Sequence, residues 1–202
     1  MIIPKWRAAL ASWHLPLVLV IASGLLVWFG PDLNDALRYQ RAALLNGELW
    51  RLFSAHLVHL GWSHWALNVA GLALVWALLE DELAGIFGWV ALLGSGLAIG
   101  LGLLLFDPEL QWYVGLSGVL HGLFAAGAVR HWPAQPRAAT LMLAVLAVKL
   151  GWEQYFGAMP GTGALAGGAV IVDAHLFGAI GGVVIAWAYR YTNRAKPICR
   201  VG

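Results

Sequence analysis

Apolar runs of about 20 residues recur along almost the whole chain, and a run of that length reads as a membrane-spanning helix. Six are legible, at roughly 14–30, 62–80, 84–106, 114–130, 138–157 and 169–190. The sequence therefore predicts an all-α, polytopic membrane protein forming a single six-helix domain over residues 1–202. Composition agrees. The chain is 61% hydrophobic and 11% charged, where a soluble domain carries about 25% charged residues. Several of its 12 tryptophans flank the apolar runs, as interfacial anchors do. A net charge of +2 is too small to suggest a nucleic-acid partner; the partner it implies is the lipid bilayer. The lone Cys199, in a basic C-terminal tail, makes no internal disulfide.

The first run follows Lys5 and Arg7 as a signal peptide would, but no small-x-small cleavage site follows it, so it reads as a retained helix. The long gap 31–61 mixes charges with aromatic and apolar residues and reads as a structured loop on the membrane surface. With the N-terminus inside, Lys5, Arg7, Arg130, Arg137, Arg190, Arg194, Lys196 and Arg200 fall on the inner side, against Arg38, Arg41 and Arg51 outside. That asymmetry predicts cytoplasmic termini. Runs two, four and six then start at the outer surface. His64, Asn68, Ser117 and His175 lie a few residues into them, within ~10 Å of that surface at ~1.5 Å per residue.

Polar and ionisable groups in hydrocarbon are costly, and mark functional sites. Ser117 sits in Gly115-Leu116-Ser117-Gly118-Val119-Leu120-His121-Gly122, and His175 in Asp173-Ala174-His175-Leu176-Phe177-Gly178. Gly118 and Gly122, like Gly178 and Gly182, are spaced i, i+4, a pattern that lets two helices meet backbone to backbone. Plain helix packing would explain the glycines alone. With His175 on the Gly178 face, the same docking turns it towards Ser117. A serine hydroxyl is a weak nucleophile until a base takes its proton, and His175 is the base expected here. His121, four residues after Ser117, is the rival base. No carboxylate is expected to complete a triad, since Asp173 is two residues from His175 and faces away. A Ser117–His175 dyad oriented by packing is the reading.

Gly115-x-Ser117-Gly118, Ala174-His175-x-x-Gly178-x-x-x-Gly182 and His64-x-x-x-Asn68, with Trp50-Arg51 in the first outside loop, resemble in order and depth the rhomboid intramembrane serine proteases. The longer runs Gly-Leu-Ser-Gly-Val-Leu-His-Gly and Val-Asp-Ala-His look most like the rhombosortase branch. That resemblance implies an oxyanion clamp of the Ser117 backbone N–H with the His64 and Asn68 side chains, and neither metal nor organic cofactor. It implies substrates that are exported proteins ending in a Gly-Gly motif, an apolar helix and a basic tail. It also implies a bacterial inner membrane, with the site opening to the periplasm. The alternatives are a general rhomboid protease with other single-helix substrates, and a non-catalytic rhomboid-like binder of membrane helices. A small transporter would need an internal repeat, and none is visible.

Three further features are read more plainly. His56, His59 and His64 could suggest a metal, but no His-Glu-x-x-His motif, cysteine or nearby carboxylate completes a shell; His56 and His59 are expected in an interfacial loop. Lys149 and Glu153, i, i+4 in run five, are expected to pair with each other, bracing that helix or meeting a substrate tail. Gly157–Gly168 reads as a mobile loop over the site or as a flexible connector.

Overall fold

A computed structural model describes residues 5–194. The basic tail with Lys196, Cys199 and Arg200 lies outside the described residues. The chain is mostly helical. Its first helix, α1 (Lys5–Phe29), runs through Pro16 and begins earlier than the sequence suggested. The long gap that follows is structured: α2 (Pro31–Leu37), a two-residue strand β1 (Tyr39–Gln40), α3 (Arg41–Leu45) and α4 (Arg51–Ser54). Next come α5 (Trp62–Leu83), α6 (Ile86–Phe106) and a second short strand, β2 (Trp112–Tyr113). β2 pairs antiparallel with β1, Tyr39 opposite Tyr113. The rest is α7 (Ser117–His131), α8 (Pro136–Phe156), α9 (Thr162–Ala166) and α10 (Val172–Arg194).

Four of these helices, α1, α5, α6 and α10, are long and apolar enough to cross a membrane, not the six expected. α7 has only 15 residues, about 22 Å of helix against a hydrocarbon core of about 30 Å. α8 is long enough, but Arg137, Lys149, Glu153 and Gln154 make it more polar. α7 is the centre of the bundle: nearly every residue from Gly118 to Val129 is buried, and α5, α6, α8 and α10 pack around it. A helix walled by protein does not have to match the lipid thickness itself. The outer faces are apolar: Leu25 on α1, Leu105 on α6, Val148 on α8 and Val184 on α10 are all exposed. Such a surface suits hydrocarbon and is unsuited to water.

Glycine sets the tightest contact, that of α10 on α7. A Cβ on Gly178 would strike the Gly118 carbonyl, and one on Gly182 the Gly122 carbonyl. A Cβ on Gly118 would lie 2.8 Å from the Ala174 carbonyl oxygen. The two backbones touch along two turns, and Ser117 and His175 sit near the N-terminal ends of the two helices, at one end of that seam. α1 closes the other side of the bundle, where the Trp65 indole N–H donates to Ser23 Oγ at 3.1 Å and Trp13 meets Trp76.

Candidate active site

Ser117 is the first residue of α7. The segment before it is fixed by Gly115, whose φ of +127° favours glycine. Space demands glycine there as well, because a Cβ would lie 2.8 Å from His64 Cε1. The Gly115 N–H donates to the Ala55 carbonyl at 3.0 Å, and its carbonyl accepts from the Tyr113 hydroxyl at 2.7 Å. These bonds hold the start of α7 against the first loop. The Ser117 hydroxyl lies 3.0 Å from His175 Nε2, across the glycine seam. His121, the rival base, does not bond that hydroxyl. Its Nδ1 donates to the Ser117 carbonyl at 2.7 Å, and its ring stacks on His175 at 4.2 Å between centroids.

One expectation fails. A carboxylate does reach His175: Glu153 Oε2 on α8 lies 2.9 Å from His175 Nδ1. Asp173 makes no such contact. Lys149 Nζ holds the other oxygen, Oε1, at 2.7 Å. Glu153 therefore joins both Lys149 and His175. Both members of the Glu153–His175 pair are buried, whereas the Lys149 side chain is 35% exposed. Within an isolated helix the i, i+4 pair was legible, but the approach of α8 to α10 was not.

His64 and Asn68 occupy successive turns of α5 and face the same cavity as Ser117. The Asn68 amide donates to the His64 carbonyl at 3.1 Å, and His64 Nδ1 accepts from the Leu60 N–H at 3.3 Å. The cavity holds about 450 Å³; its polar wall includes His64, Asn68, Ser117, Lys149, Glu153 and His175. The remaining wall is apolar and includes Leu67, Leu74, Val145 and Leu146. Gly157–Gly168 is neither a bare loop nor a plain connector. It contains α9 between two left-handed glycines, Gly161 and Gly167, and Met159, Thr162 and Ala166 line the cavity.

A Rhomboid domain matches residues 46–192. The chain belongs to the rhomboid family. YdcA of Bacillus subtilis (strain 168), named as a rhomboid protease, is 31% identical over 91 residues, covering 45% of this chain and 46% of that protein. Rhomboid-like protein 11, chloroplastic, of Arabidopsis thaliana is 30% identical over 150 residues, covering 70% of this chain and 53% of that protein. The chain spans about half the length of these curated relatives. Family and apolar helices together make this rhomboid an integral membrane protein.

Elsewhere in this rhomboid, Arg51 is a buried staple of the first loop. It donates to the Asp35 and Arg38 carbonyls, each at 2.9 Å, and pairs with Glu48 at 2.7 Å. His56 and His59 are in a loop, as expected, and both are buried. His56 Nε2 lies 3.1 Å from both the Leu52 and Gly96 carbonyls. His59 packs edge-on to His64. Burial, helped by the nearby His64, lowers its pKa to about 4. These histidines do not converge on a metal position. The ligand atoms of His121, Glu153 and His175 do lie within 4.8 Å of one another. A cation there would have to break at least one of the Lys149–Glu153, Glu153–His175 and Ser117–His175 contacts.

Proposed function

We propose that this rhomboid is an intramembrane serine endopeptidase with Ser117 as nucleophile and His175 as general base. The observation that carries the reading is the 3.0 Å contact between Ser117 Oγ and His175 Nε2, at the wall of a cavity large enough for a peptide segment. Ser117 Oγ attacks the scissile carbonyl carbon while its proton passes to His175 Nε2. The resulting oxyanion is met by the Ser117 backbone N–H, which as the first N–H of α7 has no partner within the helix, and by the His64 and Asn68 side chains. Collapse breaks the C–N bond, and His175 gives its proton to the departing amine. A water then attacks the acyl ester, again losing a proton to His175. The ester C–O bond breaks, Ser117 regains its proton from His175, and the product leaves as a carboxylic acid that gives its proton to water.

The substrates in this reading are exported proteins whose C-termini carry Gly-Gly, an apolar helix and a basic tail. Support comes from the motif resemblance to the rhombosortase branch, and from an apolar cavity wall against which an unwound helix end can lie. Six helices, α1, α5, α6, α7, α8 and α10, cross the bacterial inner membrane in this reading, the short α7 and the more polar α8 completing the four longer apolar spans. Both termini are cytoplasmic and the cavity opens to the periplasm, in line with the lysine and arginine asymmetry. No metal or organic cofactor is required.

Co-expression with a Gly-Gly-tailed reporter tests this. Cleavage is expected in wild type and lost in Ser117→Ala and His175→Ala. Cleavage surviving in Ser117→Ala would refute the mechanism. Cleavage of other single-helix substrates, but never of the Gly-Gly reporter, would leave a protease and remove the substrate class.

A further inference from the structure

The geometry points to Glu153 as a positioning residue that completes a Ser117–His175–Glu153 triad, with Lys149 fixing which way its carboxylate faces. This rests on Ser117 being the nucleophile. Glu153 is 2% exposed, and a buried carboxylate must be paired and hydrogen-bonded to be tolerated. It achieves that by dividing its oxygens between two helices: Oε1 takes the Lys149 ammonium on α8, and Oε2 takes His175 Nδ1 on α10. An ion pair that only braced α8 would need Lys149 and Glu153 alone. Here half of the carboxylate is committed to the imidazole that touches Ser117.

That commitment settles the histidine tautomer. An ionised carboxylate only accepts hydrogen bonds, so His175 carries its ring proton on Nδ1. Nε2 is then the bare nitrogen facing the Ser117 hydroxyl, as a general base requires. When Nε2 takes the serine proton, the imidazolium lies against the negative Glu153, which stabilises it. The His121 ring on the other face of His175 holds the imidazole plane without competing for either nitrogen.

Lys149 makes this testable in a way that simple bracing does not. Its ammonium has donors only. In Glu153→Gln it would keep the amide oxygen for itself and turn the amide NH₂ towards His175 Nδ1. The ring proton would then be driven onto Nε2, the wrong nitrogen. Removing the ammonium as well, in Lys149→Met/Glu153→Gln, frees the amide to flip and accept from Nδ1–H.

The experiment is the rate at which a fluorophosphonate labels Ser117 in purified, detergent-solubilised protein, with thermal unfolding followed in parallel. It requires no substrate. Glu153→Gln is expected to slow labelling by up to about 10⁴-fold, the loss seen for a wrong-tautomer triad. The double variant is expected to recover at least about tenfold over Glu153→Gln, although it has lost the ion pair. Labelling in Glu153→Gln within about threefold of wild type, with Ser117→Ala unlabelled, overturns the positioning role and leaves the nucleophile standing. A double variant as slow as Glu153→Gln, or slower, also overturns it in favour of bracing. Absence of Ser117-dependent labelling in wild type overturns the serine-nucleophile reading and the triad with it.

Discussion

Gly178→Ala puts one methyl group where the structure has least room for it. The added Cβ would meet the Gly118 carbonyl, more than about 1 Å inside the ~3.5 Å at which carbon contacts become favourable. The obstacle is backbone, so no side chain can swing aside; α10 must back away from α7 or rotate. Ile99 Cδ1, 3.3 Å from the same Cβ position, narrows the room for rotation. Overpacking of this kind costs about 1–3 kcal/mol of stability. The effect on activity should be larger than the stability loss suggests. Gly118 adjoins Ser117, and Gly178 lies one turn after His175, so displacement at the seam is passed to the 3.0 Å Ser117–His175 contact. A 1 Å misplacement of reacting groups can cost about 10²-fold in rate. Gly151→Ala is the control: nothing lies within 4 Å of its added Cβ, and an alanine inside a helix is favoured by about 0.5–1 kcal/mol. Fluorophosphonate labelling and thermal unfolding in detergent measure both effects. Gly178→Ala should label about 10²-fold more slowly and unfold at lower temperature, while Gly151→Ala should do neither. Wild-type labelling and stability in Gly178→Ala would refute the claim that backbone contact at this seam sets the alignment of the two side chains.

Other outcomes follow from single contacts. Arg51→Ala strands two backbone carbonyls and Glu48, and should cost about 3 kcal/mol, read as a lowered unfolding temperature. His59 is held neutral in the fold, with a pKa of about 4 against about 6.5 when unfolded. Its contribution is complete above pH 6.5 and is lost as pH falls towards 4, by about 3 kcal/mol in all. His59→Gln should therefore flatten the acid limb of a stability-versus-pH curve, and an unchanged limb would refute this. His121→Phe keeps a ring against His175 and removes no bond to the Ser117 hydroxyl, so labelling should stay within about tenfold of wild type. A loss as deep as that in His175→Ala would instead make His121 the base.

The residues that met across helices differ in how far a linear sequence could show it. Ser117 and His175 carry local signals: each sits beside glycines whose i, i+4 spacing marks a helix-docking face, so which sides of α7 and α10 meet was legible from the two segments. Membrane crossing was less legible, because a hydropathy pattern records apolar length and not what surrounds a helix. α7 reads as a span, yet its 15 residues are enclosed by neighbouring helices. Glu153 was legible only in part. Its i, i+4 relation to Lys149 fixes one carboxylate oxygen, and nothing within α8 says where the other points. That depends on the rotation of α8 about its own axis, which its small polar stripe leaves ambiguous between facing a substrate and facing α10. The burial of Glu153 beside His175 resolves the ambiguity. A second buried partner on another helix is what distinguishes a carboxylate that orients a base from one that only balances a lysine.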